Sequence, residues 1–144
     1  MKRVIIALGA LATVGAGSPP APSDLRVELN GLRSARGVVH LCLTSSEQRF
    51  LKCKDDRSAV ARTIPAGAAQ RLELGQIRPG TYALLIVHDE NENGKLDMMM
   101  GIPREGFGFS NNPSVRPRAP RWEEIRFTMP PAGLRQQVRV RYVL

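Results

Sequence analysis

Apolar side chains recur at every second position in short runs, and turn residues separate the runs. That period restricts the chain to β-structure, because a strand sends successive side chains to opposite faces while a helix returns to one face every three or four residues. Leu25, Val27 and Leu29 alternate with Arg26 and Glu28, and Asn30-Gly31 comes next as a turn signal. Val38 to Thr44 repeats the pattern, with Val39, Leu41 and Leu43 on one face. Residues 71–74 read as a short strand, and Arg78-Pro79-Gly80 turns into residues 81–87, whose nearly unbroken apolar character predicts a central position. Residues 124–129 and 137–144 complete the set, joined through Pro130-Pro131-Ala132-Gly133. About six short strands and no amphipathic helix predict an all-β fold, a β-sandwich or a small barrel.

The start of the chain has a different character. Lys2 and Arg3 precede an apolar run over residues 4–14, and small residues come after it at Gly15, Ala16 and Gly17. The run is too short to cross a bilayer, which takes about 20 residues of helix. It fits the apolar region of a secretory signal peptide, with Val14 and Ala16 where a signal peptidase reads. A buried N-terminal helix is the competing reading, and Gly9, Pro19, Pro20 and Pro22 oppose it. The expected division is a signal peptide over 1–16, a Pro-rich linker over 17–24 and a β-sandwich domain over 25–144. No Cys follows the run to carry a lipid, and no later stretch is long enough to span a membrane. The expected location is the periplasm or the exterior.

An oxidising compartment suits a bridge between Cys42 and Cys53, the only two cysteines, over a pair of buried thiols. The formal net charge of +8 falls to +6 without Lys2 and Arg3. A basic balance raises nucleic acid as a partner. Here the arginines are scattered, and Arg139 and Arg141 alternate with Val138, Val140 and Tyr142 as the wetted face of a strand. Aromatic residues make up only 5% of the chain, too few for stacking platforms. The expected partner is an envelope or extracellular ligand of unidentified nature, with no nucleic acid.

Residues 88–120 are rich in Gly, Asn and Pro and show no periodicity. A loop of that length is expected only where it is functional or holds a ligand. It begins His88-Asp89-Glu90-Asn91-Glu92-Asn93-Gly94-Lys95-Leu96-Asp97. Calcium takes six to eight oxygens at about 2.3–2.6 Å, and a loop supplies them from alternate residues with a glycine for the sharp turn. Asp89, Asn91 and Asn93, the backbone carbonyl of Lys95, and Asp97 fit that spacing. Five acids and two bases between His88 and Glu105 make a net −3 island in a basic chain. The bidentate Glu that closes an EF-hand loop is replaced by Met100, so Glu105 is the nearest closing carboxylate. The competing reading is a bare Asn-Gly turn, which explains Asn93 and Gly94 but not Asp89, Asn91 and Asp97. His88 with Asp89 or Ser110 suggests a hydrolase as the alternative function, against a simply satisfied histidine. Phe107 and Phe109, set among glycines, either plug the loop onto the sandwich or form an exposed platform for a sugar or peptide.

Three blocks carry a resemblance: Pro79-Gly80-Thr81-Tyr82-Ala83, the segment from His88 to Asp97, and Gly101-Ile102-Pro103-Arg104-Glu105-Gly106-Phe107-Gly108-Phe109-Ser110-Asn111-Asn112. With them the chain resembles the bacterial domain of unknown function 2141 family, from about Leu25 to the C-terminus. The resemblance implies an exported, single antiparallel β-sandwich similar to transthyretin or prealbumin, with one long loop and no assigned activity. Met98-Met99-Met100 departs from the more polar family pattern. The expected function is therefore a non-enzymatic binding or structural protein whose long loop is stabilised by Ca2+.

Overall fold

The computed structural model describes residues 17–144, so the expected signal peptide over 1–16 lies outside the described residues. The described chain forms ten strands, one α-helical turn and two 3-10 turns (Cys53–Asp55 and Ala66–Ala68): β1 (Ser23–Asn30), β2 (Val38–Thr44), β3 (Val60–Pro65), β4 (Arg71–Ile77), β5 (Gly80–Asp89), β6 (Met98–Met99), β7 (Ile102–Pro103), β8 (Gly106–Phe109), α1 (Trp122–Ile125), β9 (Arg126–Met129) and β10 (Leu134–Arg139). They build a three-stranded sheet in the order β10-β1-β4 and a five-stranded sheet in the order β3-β2-β5-β8, with β9 also on β5. The two-residue strands β6 and β7 pair as a separate hairpin.

β5 is central because its ten residues serve three partners. One edge pairs with β2 along its length, while the other takes β9 over Gly80–Ala83 and β8 over Leu85–His88. The pairing is antiparallel except between β1 and β10, where Leu25 to Asn30 run parallel with Leu134 to Arg139. The inward residues of the two sheets form one core: Leu25, Val27 and Leu29 face Val39, Leu41, Leu43, Leu84 and Ile86, with Val138 and Val140. This is the sandwich that the alternation predicts.

Four local expectations are revised. β3 carries no clear alternation and is added at the outer edge of its sheet. The region expected to be one long loop contains β8, in which Gly106 and Gly108 take the inward positions. Tyr142 and Val140 occupy the space a side chain at 106 would need, with a Cβ there falling 2.5 Å from the Tyr142 ring. Residues 122–125 form a helical turn instead of the start of a strand, because the Glu124 carboxylate accepts from the Arg121 N–H and from the Arg118 guanidinium. Finally, the last strand begins at Leu134 and ends at Arg139.

Cys42 and Cys53 form a disulfide across a separation of 11 residues, tying β2 to the loop before β3. Arg139 is exposed between buried Val138 and Val140, as the alternation requires.

Candidate functional site

The central strand ends on Asp89, and that carboxylate organises the turn after it. The side chain is fully buried. Its Oδ2 accepts from the Gly94 N–H at 2.7 Å and its Oδ1 from the Asn93 N–H at 3.2 Å, which folds residues 89–94 back on themselves. Gly94 adopts φ +72°, in the left-handed region where a Cβ is penalised. The alternate Asn side chains continue the device: Asn91 Oδ1 accepts from the Asn93 N–H and Asn93 Oδ1 from the Lys95 N–H. Both amides donate onward to Asp97, at 2.7 Å from Asn91 and 2.8 Å from Asn93.

Glu105 returns to this cluster after the β6–β7 hairpin. Its Oε2 accepts from the Asp97 N–H at 3.1 Å, while Oε1 is buried and has no hydrogen-bond partner. The residue is only 5% exposed. Burial pushes its carboxyl above the ordinary range, the Asp97 N–H opposes this, and the neighbouring Asp89 and Asp97 carboxylates push it further up, Asp89 also through a direct carboxyl–carboxyl contact that favours the protonated form. Burial also pushes Asp89 up, but the Gly94 N–H, the His40 ring and the Asn93 N–H outweigh it, and Asp89 stays below its usual value. Five of the six ligand candidates, Asp89, Asn91, Asn93, Asp97 and Glu105, therefore share one network, which Lys95 joins through its N–H, whereas the expected ligand is its carbonyl. Among the described residues, no three His, Cys, Asp or Glu side chains converge as a finished metal cluster. The Asp97 carboxylate is turned toward the two amides. The oxygens of these residues are of the hard type that divalent cations such as calcium take as ligands, but here they are engaged with one another and with backbone N–H groups.

Several residues at the site lack a signal in the linear sequence. His40, on the neighbouring β2, sets Nε2 3.1 Å from Asp89 Oδ2 and Nδ1 3.0 Å from the Thr63 hydroxyl. Arg33 grips Glu90 through Nε at 3.0 Å, and Ser34 donates to the same carboxylate at 2.7 Å. The Arg33 bond holds Glu90 at about 2, against its burial. Glu90 is thus neutralised by a residue far away in sequence, and the acidic island is one charge weaker than its count.

The hydrolase residues are not brought together. His88 is fully buried, with Nε2 donating to the Arg36 carbonyl at 2.8 Å and Nδ1 2.6 Å from the Tyr142 hydroxyl. Ser110 is fully buried as well; its hydroxyl accepts from the Leu84 N–H at 3.0 Å and donates to the Ile125 carbonyl. Both side chains act as clips between β5 and its surroundings. Phe107 and Phe109 are half-buried on β8, their ring centroids 5.8 Å apart, and Phe109 packs against Ala83, Trp122 and Ile125. They anchor the segment to the sheet.

Among the described residues no helix is long and apolar enough to cross a membrane. The family described as uncharacterized protein conserved in bacteria (DUF2141) matches residues 27–137. No curated protein and no solved structure matches the chain.

Proposed function

Because the chain belongs to the DUF2141 family of uncharacterized bacterial proteins, a family with no assigned activity, we propose that it is an exported, non-catalytic β-sandwich whose β5–β8 connection is ordered by calcium and serves in binding or structure. The observation that carries this reading is Glu105 Oε1, a buried carboxylate oxygen without a donor, beside Asp89 and Asp97. A bare Asn-Gly turn accounts for the bonds at Asn93 and Gly94. It gives no reason to bury a second carboxylate against two others, since each adds desolvation cost and repulsion. A divalent cation reverses the sign of both effects.

A cation bound only by the folded chain stabilises it by mass action, by about 2.7 kcal/mol at a hundred times the dissociation constant. Adding calcium after chelator treatment should raise the melting temperature by several degrees, with magnesium weaker because it holds its own water. A short ligand set of this kind points to an affinity of about 10⁻⁵ to 10⁻³ M. If millimolar calcium leaves both the melting temperature and the protease sensitivity of residues 90–105 unchanged, the turn reading replaces the calcium reading. Export has its own test. Intact mass of natively produced protein should show an N-terminus between residues 16 and 24, and retention of Met1 would remove it.

A further inference from the structure

Beyond the cation-binding turn, the chain doubles back at residues 98–103. Met98 pairs with Pro103 and Met99 with Ile102, leaving Met100 and Gly101 as a two-residue turn with φ +51° and +80°. Leu96, Met98, Met99, Met100 and Ile102 are all exposed, Met100 to 96%. Neighbouring residues of a strand point to opposite faces, so the exposed Met98 and Met99 make this hairpin apolar on both sides. A flat protein partner would cover one side and leave the other in water. A fluid apolar medium covers both.

Charge points the same way. Lys95 and Arg104 are exposed where the chain enters and leaves the hairpin, both at its base, and Lys54 reaches the same base by donating to the Gly94 carbonyl at 3.0 Å. An apolar tip standing above basal cations matches the boundary between acyl chains and anionic headgroups. The hairpin is aimed by the site below it, through the Asp97 N–H on Glu105 and the Arg104 N–H on the Asp97 carbonyl at 2.9 Å.

We propose that the 98–103 hairpin docks on anionic phospholipid surfaces in a calcium-dependent manner, the tip entering the interface and Lys54, Lys95 and Arg104 facing headgroup phosphates. This rests on the calcium reading of the adjacent site. Without the ion, Asp89, Asp97 and Glu105 offset the basal cations toward an anionic surface; with it, two positive charges are added and Lys54, Lys95 and Arg104 dominate.

The test is cosedimentation of the folded protein with mixed phosphatidylglycerol–phosphatidylcholine vesicles, with calcium or with chelator, beside a melting curve taken without vesicles. Calcium should raise the bound fraction about tenfold, and vesicles of phosphatidylcholine alone should bind little. The variant Met98→Ser/Met99→Ser/Met100→Ser should keep the calcium-induced rise in melting temperature and lose the vesicles. If calcium raises the melting temperature while wild type and triple variant sediment alike, docking is overturned and the cation site stands. If calcium changes neither, both readings fall together. A doubling of mass in calcium that the triple variant abolishes, without vesicle binding, overturns docking in favour of a second copy of the chain.

Discussion

Two carboxylates in this molecule are buried to nearly the same degree and are held in opposite ways. Asp56, 6% exposed, sits in the loop between β2 and β3. It accepts from the Ser58 hydroxyl at 2.6 Å, from the Thr44 hydroxyl and from the Ser58 N–H at 3.0 Å. Those bonds, Ser58 first and Thr44 second, hold it below the ordinary carboxylate range despite its burial. Glu105, 5% exposed, has one N–H for two oxygens, and burial drives it the other way. Burial alone therefore does not determine how a carboxylate behaves. The number of donors within reach does, and Asp56 takes two from Ser58, two residues on, and one from Thr44 on β2. The first carboxylate is satisfied by Ser58 and by Thr44 at the end of β2, while the second leaves one oxygen without a donor.

The sharpest way to probe the first loop is to cut its tether. Replacing Cys42 and Cys53 together by Ala opens a small loop and should cost about 3 kcal/mol in denaturant unfolding. Its response to calcium should be unchanged, because Asp89 and Glu105 lie outside the tethered segment. In the second loop, Asp89→Ala and Glu105→Gln should each abolish the calcium-induced stabilisation of about 2.7 kcal/mol expected at saturation. Glu105→Gln carries an additional sign. It removes a buried charge that has a single N–H donor for its two oxygens, so metal-free Glu105→Gln should be at least as stable as wild type at neutral pH. A clear loss in metal-free protein would make Glu105 a structural acceptor like Asp56.

A smaller effect separates the two carboxylates by pH. The folded-state value of Asp56 is depressed, so its contribution is present above the ordinary carboxylate range and is lost as pH falls through the depressed value. Asp56→Asn should therefore be destabilising at neutral pH, with or without calcium, and the gap to wild type should close on acidification. The smallest change expected is for Arg33→Ala, which releases Glu90 and a cation–π contact on Tyr142. Arg33 is more than a third exposed, so the loss should be no more than about 1 kcal/mol. Since Glu90 titrates at about 2, the difference should persist in mild acid and fade only as pH falls through that value.

The parts of the fold that announce themselves are those whose local pattern coincides with their packing. Leu25, Val27 and Leu29, and Val39, Leu41 and Leu43, alternate in the sequence and are inward in the structure. β3 is not legible because only Val60 and Ile64, four residues apart, turn toward the core while Ala61, Arg62 and Thr63 stay exposed. β8 alternates too, but glycine is its inward residue, and glycine reads as turn until Tyr142 and Val138 are seen filling its place. The acidic turn is legible from Asp89 to Asp97 by spacing, and Glu105 by proximity alone. His40 and Arg33 are not, since cross-strand and loop-to-loop neighbours leave no mark in a linear pattern.

The parallel pairing of Leu25 with Leu134 has a kinetic consequence. The first strand of the domain finds one of its two neighbours only after 109 further residues have been made, so loop closure makes this contact entropically the most demanding in the sheet. Until β10 emerges, β1 has only β4 beside it, and the core lacks Val138 and Val140. Completion of this sheet and of the core therefore waits for β10, whatever the order in which the other strands pair.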